Sequence, residues 1–503
     1  MEKRITQDDV IYFVVTDRFF GRDKRNVTES DTSIHGGTLD GVIEKLDYLL
    51  NLGVSAIWVT PVYENIPRAG TTEPYHYYWP QNFQRIDSRL LDGTHLPTST
   101  DIDSFGVFVD KCEARGMKVV LDMVVNHAGY GAKERFGSDW FNSGGTGDIK
   151  GELSGLPDFN HDMPQVIDYF INNIEEWITR GKVTNIRMDT VKHVEKKFWH
   201  YFKCQIRGKY PDVCLIGEVL CEGKEDIGTL LQYQNYHDFD SIFDFPLCTA
   251  LRSTFIYDES LRYWLARPRL NENEPRGVLD KDNPLNDEGG YRNANGLVTL
   301  VDNHDLQRRI MSHARTKHPG DGAGLDWAIR VTKLCLGALF TMRGIPQLYY
   351  GTEIGLEGWK AGDDRDLRRD FPWNVIGTNN HPQPKFRKEH EIFEWTRDLI
   401  RLRKANEALK YGTTITLWAD DLVYAFLRIS SDDVALIIIN NGYERMPVPL
   451  RVRLNPDQVP QRFVTMVANE LEHWQTKLPL LVDNGQAVLT VDGKTIDIYC
   501  RNI

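Results

Sequence analysis

No stretch of the 503 residues approaches the roughly 18 consecutive apolar positions that a membrane-spanning helix needs. The longest apolar run, around Leu334–Phe340, is far too short. The first residues, Met1-Glu-Lys-Arg-Ile-Thr-Gln-Asp-Asp, lack the apolar core of a secretion signal. A cytoplasmic location is therefore expected, with a secreted chain whose leader has been removed as the alternative. Positive charge is not in excess: 60 Lys+Arg against 72 Asp+Glu leave a net −12. That balance argues against a nucleic-acid partner, whose binders usually present a basic face. Cysteine is scarce and odd in number, seven in all, with no C-x-x-C spacing. Cys214, Cys248 and Cys335 sit inside apolar runs, so buried reduced thiols are expected rather than a disulfide framework. Repeats, low-complexity tracts and long charge blocks are absent too. What remains is the composition of an ordinary folded chain, 41% hydrophobic and 26% charged, long enough to bury a large core. The 12 Trp and 21 Tyr can stack on sugar rings as well as fill that core.

Eight short β-branched runs alternate with helical patterns over the first 400 residues: Ile11–Thr16, Ala56–Thr60, Lys118–Val125, Asn185–Asp189, Cys214–Val219, Ser241–Phe245, Leu297–Asp302 and Pro346–Tyr350. Leu39–Leu50, Phe105–Arg115, Val166–Arg180 and Phe393–Arg403 carry apolar residues at helical spacing. Alternating strands and helices with nearly continuous apolar strands predict a parallel sheet covered on both faces. Eight units predict a (β/α)8 TIM barrel, with a doubly wound open sheet as the alternative. The long segment 128–163 after the third strand is rich in Gly, Asp and Asn and reads as an inserted domain. After about Tyr411 the pattern becomes short strands and turns, including Val448–Leu454 and Phe463–Val467, which predicts an all-β sandwich. The division is thus 1–127 and 164–410 for the barrel, 128–163 for the insertion and 411–503 for the C-terminal β-domain.

Barrel enzymes draw catalytic groups from the C-terminal ends of their strands. Here those ends read Asp122-Met-Val-Val-Asn126-His127, Arg187-Met-Asp189-Thr-Val-Lys192-His193, Ile216-Gly-Glu218 and Asp302-Asn303-His304-Asp305. Each alone also fits a helix N-cap, a turn or a structural ion pair. Several acids converging at one mouth suit glycoside hydrolysis, in which one carboxylate attacks the anomeric carbon and another protonates the leaving oxygen. Arg187 shares a strand face with Asp189 and is expected to keep it ionised. Glu218 has few cationic neighbours in the sequence, so burial is expected to raise its pKa as an acid catalyst requires. His127 and His304 can donate hydrogen bonds to sugar hydroxyls.

On these motifs, in this order, the chain resembles the α-amylase family of glycoside hydrolases (family 13). Ile34–Val42, Tyr75-His-Tyr-Tyr-Trp79, Leu156-Pro-Asp-Phe-Asn160 and Gly344–Glu353 extend the likeness over nearly the whole length. The resemblance implies Asp189 as nucleophile, Glu218 as general acid/base and Asp305 as transition-state stabiliser. It makes Arg187, His127 and His304 partners at the cleavage subsite and Tyr78 the ring under the sugar. Lys192 and His193 match the pair lining the leaving-group side in α-1,4-acting members, and Arg368 resembles an arginine further along the cleft. A calcium ion between barrel and insertion is implied, held by Asn126, Asp158 and the His193 carbonyl. A second calcium near the first strand is argued against by Gly21-Arg22-Asp23, which replaces a carboxylate by a cation.

The resemblance thus implies a retaining α-1,4-glucan hydrolase acting on maltooligosaccharides, glycogen or starch fragments. A 4-α-glucanotransferase, maltosyltransferase or cyclomaltodextrinase with the same triad is the alternative. Tyr77 stands where the family has glycine, which is expected to narrow or reshape the pocket floor. Ser154 replaces the aromatic around which glucans wrap in cyclodextrin glucanotransferases, and the chain ends before their extra C-terminal domains could fit. Cyclomaltodextrinases begin with a β-domain that precedes the barrel, whereas the first run here starts near residue 11. Trp140 and Trp264 read either as sugar platforms or as core residues, and 271–293 as one wall of the cleft. The expected partner is the α-glucan alone, with no nucleic acid and no membrane.

Overall fold

The apolar runs of the first half of the chain become short, buried, parallel strands. The computed structural model describes residues 2–23, 31–143, 147–221, 227–235, 239–266, 279, 291–317, 322–360, 363–451, 461–483 and 486–501. Of the expected cleft wall 271–293, only Leu279 and residues 291–293 fall within them. The chain divides into two compact units, one of Met1–Leu220, Tyr233–Phe243 and Lys360–Asn380, the other of Cys221–Gln232, Asp244–Trp359 and His381–Ile503.

The first unit holds β1 (Ile11–Val14), β2 (Ala56–Val59), β3 (Lys118–Met123), β4 (Asn185–Met188), β5 (Cys214–Gly217) and β6 (Ser241–Ile242). Each pairs in parallel with the next, in sequence order. All residues of β1, β2, β4 and β5 are buried, as strands covered on both faces must be. Helices Ile102–Glu113, Pro164–Thr179 and Lys196–Lys209 alternate with them and bury apolar faces such as Val166, Phe170, Ile174 and Trp177. The helix expected over Leu39–Leu50 is two pieces, Leu39–Glu44 and Leu46–Leu52, broken where Lys45 leaves helical geometry.

The second unit holds β7 (Val298–Thr299) and β8 (Ile345–Tyr349), again parallel. Asp244 caps the helix Phe245–Phe255 by accepting from the Leu247 N–H. Beyond it the strands are β9 (Thr413–Ala419), β10 (Val423–Ile429), β11 (Val434–Asn440), β12 (Met446–Arg451), β13 (Leu471–His473), β14 (Gln486–Val491) and β15 (Thr495–Arg501). They form an antiparallel sheet in the order β9-β10-β11-β15-β13 and a separate pair β12-β14. The strand expected at Phe463–Val467 is instead part of a helix, Gln461–Asn469. Phe463, Met466 and Val467 are buried against Leu436 and Leu471, and their three-and-four spacing is helical, not alternating. Among the described residues no disulfide joins any two of the seven cysteines, with Cys214, Cys248 and Cys335 buried and Cys204 exposed. No helix among them is long and apolar enough to cross a membrane.

Candidate active site

Arg187, inside β4, gathers three carboxylates in the first unit. Its Nη1 donates to Asp122 Oδ1 at 2.8 Å and to Asp189 Oδ1 at 2.6 Å. Its Nη2 lies 2.7 Å from Glu218 Oε1. Parallel pairing explains the meeting: Arg187 is in register with Asp122 on β3 and Ile216 on β5. The Asp189 N–H donates to the Met123 carbonyl and the Glu218 N–H to that of Met188, so the ladder carries both acids just past the strand ends. The expectation that Glu218 has few cationic neighbours is therefore corrected. Its cation comes from the adjacent strand, which linear spacing does not reveal.

Asp122 is the residue the sequence reading left without a role. Its Oδ2 accepts from the Tyr78 hydroxyl at 2.7 Å and from Trp58 Nε1 at 3.0 Å. Burial pushes its carboxyl up to about 6, against the downward pull of Arg187 and with a further push from Asp189. The same three acids hold the Arg187 guanidinium well above its ordinary range. A charge in the middle of the run Val-Val-Leu-Asp-Met-Val-Val was the available signal, because an unpaired carboxylate there costs several kcal/mol, about the price of a fold.

After Asp189 the chain turns sharply. Thr190 has φ +49°, and its N–H donates to Glu218 Oε2 at 3.0 Å. Lys192 and His193 follow in a single helical turn and are half-buried, with His193 Nδ1 2.7 Å from the Asp148 carbonyl oxygen. A Cβ at Gly217 would stand 2.9 Å from the Phe239 ring, so only glycine lets Glu218 approach along this line.

Tyr78 belongs to a hairpin-linked segment between Tyr63–Asn65 and Pro80–Ile86. Its carbonyl accepts from His127 Nε2 at 3.1 Å, and burial lowers the His127 pKa, keeping the ring neutral. Tyr77 takes the left-handed φ of +62° that a family glycine would adopt freely, and its ring is fully buried. Arg368 is buried, donates to Asp364 Oδ2 at 2.8 Å and lies 5.9 Å from the centre of the Tyr75 ring.

In the second unit, Asn303 Oδ1 accepts from the Asp305 and Leu306 N–H groups, both at 2.9 Å. That turn holds Asp305 with its side chain partly exposed and its Oδ2 3.4 Å from His304 Nε2. Asp302 is buried beneath, accepting from the Ile310 N–H and the Thr352 hydroxyl. Trp140 packs on Phe136 and Tyr169, and Trp264 on Tyr263.

The three residues expected to hold calcium come together in the first unit. The inserted segment returns to the end of β3 through a bridge between His127 and Asp158. The Asn126 amide reaches the His193 carbonyl at 3.0 Å and Asp158 Oδ1 at 3.3 Å, and with its nitrogen on that side it donates to both. Asp158 is buried, and its carboxyl is pushed up to about 7 by that burial. The Asp158 carboxylate, the Asn126 amide and the His193 carbonyl gather there, and such donors suit an oxygen-seeking cation. Among the described residues no group of three His, Cys, Asp or Glu does so. The donor set here is instead one carboxylate, one amide and one carbonyl.

Residues 13–142 and 134–412 match the family described as Alpha-amylase, catalytic domain. The chain belongs to the α-amylase family. It is 28% identical over 519 residues to the Beta/alpha-amylase of Paenibacillus polymyxa, covering 98% of this chain but 38% of that protein. It is 27% identical over 472 residues to a Bacillus sp cyclomaltodextrinase, covering 86% of this chain and 73% of that one. Among solved structures it is similar to the α-amylase of Geobacillus thermoleovorans complexed with acarbose, with a TM-score of 0.78, 28% identity and 99% of each chain covered. A cyclomaltodextrin glucanotransferase with a three-domain ABC distribution aligns with a TM-score of 0.73 and 25% identity, over 98% of this chain and 99% of that one. α-Amylase family members are glycosidases, and the fold is the (β/α)8 barrel with a C-terminal antiparallel β-domain.

Proposed function

We propose that the chain is a retaining α-1,4-glucan hydrolase acting on maltooligosaccharides, glycogen or starch fragments. The observation that carries this reading is the Arg187 guanidinium, which spans Asp189 on one nitrogen and Glu218 on the other. Retention needs the two carboxyl groups close, about 5–5.5 Å apart, with no water between them. Asp189 Oδ1 is engaged by Arg187, so attack on the anomeric carbon falls to Oδ2. As the Asp189–carbon bond forms, the glycosidic bond breaks and Glu218 gives its proton to the leaving oxygen. Glu218 then takes a proton from water, whose oxygen attacks the same carbon and releases Asp189. Asp305 and His304 bind hydroxyls of the sugar at the cleavage point, Tyr78 stacks beneath it, and His127 orients Tyr78. Lys192, His193 and Arg368 line the neighbouring sugar positions.

A calcium ion at Asn126, Asp158 and the His193 carbonyl is part of the proposal, supported by the closeness of the three groups. When bound it would supply charge balance to Asp158 and tie the insertion to β3. The relatives named cyclomaltodextrinase and cyclomaltodextrin glucanotransferase favour a second reading, in which cyclic glucans are opened or another sugar replaces water. The test is turnover of maltoheptaose. Asp189→Asn and Glu218→Gln should each lower it at least about a thousandfold; a folded variant near wild type would overturn the assignment. Longer oligomers as main early products from maltotriose would replace hydrolysis by transfer.

A further inference from the structure

Tyr78 is held by more than its hydroxyl. Asn65, at the end of the first hairpin strand, is 2% exposed and directs two of its three side-chain hydrogen bonds at this segment. Its Nδ2 donates to the Tyr77 carbonyl at 3.1 Å and to the Tyr63 carbonyl at 2.8 Å. Its Oδ1 accepts from the Trp79 N–H at 2.7 Å. The Tyr77 carbonyl belongs to the peptide entering Tyr78 and the Trp79 N–H to the peptide leaving it. One amide therefore grips both peptides that flank the ring. Asn65 is itself anchored, because its own N–H donates to Asp87 Oδ2 at 2.9 Å and Asp87 is bound by Arg89 Nε at 2.7 Å.

The left-handed conformation of Tyr77 makes that grip necessary. A tyrosine at φ +62° is disfavoured, and such a conformation persists only where its surroundings over-determine it. The fully buried ring of Tyr77, its N–H on the Pro74 carbonyl at 2.9 Å and the Tyr78 N–H on His76 Nδ1 at 3.0 Å supply part of the restraint, and the hydrogen bond from Asn65 holds its carbonyl. Without the amide, the Tyr77 carbonyl loses its donor and the peptide before Tyr78 is held only from its N–H side, by His76. The Tyr78 hydroxyl would then lose its 2.7 Å contact with Asp122, the acid that shares Arg187 with Asp189.

We propose that Asn65 is a positioning residue that sets Tyr78 in the cleavage subsite, acting on turnover solely through that ring. The inference rests on reading the Arg187 cluster as the catalytic site. If that reading fails, the wild-type enzyme does not cleave maltotriose, an outcome separate from those below. The experiment is a double-mutant cycle with Asn65→Asp, which keeps the size and the acceptor but replaces the donor, in wild-type and Tyr78→Ala backgrounds. In the wild-type background Asn65→Asp should lower kcat/KM for maltotriose roughly 10- to 100-fold. In the Tyr78→Ala background the same change should cost less than about 3-fold, because residues acting through one contact are not additive. Equal losses in both backgrounds would show that Asn65 acts elsewhere and overturn the proposal, as would wild-type kcat/KM in folded Asn65→Asp. Should Asn65→Asp fail to fold, Asn65→Ser carries the same cycle. Failure of both to fold would assign Asn65 to stability instead, overturning it as well.

Discussion

Arg187 concentrates the electrostatics of the first unit in one buried guanidinium shared by Asp122, Asp189 and Glu218. Three carboxylates around one cation leave an excess of negative charge, which burial makes costly. Asp122 shows this directly, with its carboxyl raised to about 6 by burial, above the roughly 3.9 of an unfolded aspartate. A carboxyl whose folded pKa is raised stabilises the fold fully below its unfolded value, and that contribution is lost as pH climbs through the folded one. Asp122→Asn cannot ionise and escapes the loss. In thermal melts, the Tm of wild type minus that of Asp122→Asn should therefore fall between pH 4 and pH 7. A difference that grows with pH would mean that Arg187 stabilises the ionised carboxylate more than burial opposes it. Asp189 and Glu218 stood out in the sequence because a charge directly after an apolar run needs a partner or a purpose, and Asp305 because it closes the polar cluster that follows Val301. The Arg187–Glu218 contact did not, nor did the partners of Asp122 and the grip of Asn65. Those depend on strand register and on a hairpin that folds back, neither of which linear spacing encodes.

At the level of elements, the inserted segment is tied to the end of β3 by the His127–Asp158 backbone bridge and by the Asn126 amide, whose nitrogen donates to Asp158 Oδ1 and the His193 carbonyl. Because the Asp158 carboxyl is raised to about 7, calcium must displace a proton below that pH, and its affinity should rise up to about pH 7 and then level off. Chelation at pH 8 should lower the Tm of wild type and leave Asp158→Ala unchanged. An unchanged wild-type Tm on removal of bound calcium would contradict the site. The parallel strands were readable from their continuous β-branched runs. The helix Gln461–Asn469 was not, since a five-residue apolar stretch fits either period until Met466 and Val467 are seen sharing a face with Phe463.

For the whole molecule, family membership fixes the class of chemistry, while the fold alone does not select among hydrolysis, transfer and ring opening. Under the proposed mechanism those outcomes share a first step at Asp189 and diverge over what resolves the intermediate. The charge of −12 suits a neutral polyhydroxylated substrate and offers nothing to a polyanion. Tyr77, buried and left-handed beside Tyr78, marks the segment to vary in a search for what sets preferred chain length. The central claim is that Asp189 and Glu218 cleave an α-glucosidic bond with retention. It is tested most directly by proton NMR of the first product released from maltoheptaose, recorded before mutarotation. The α-anomer should appear first and relax to the equilibrium mixture; a first-formed β-anomer would contradict the account.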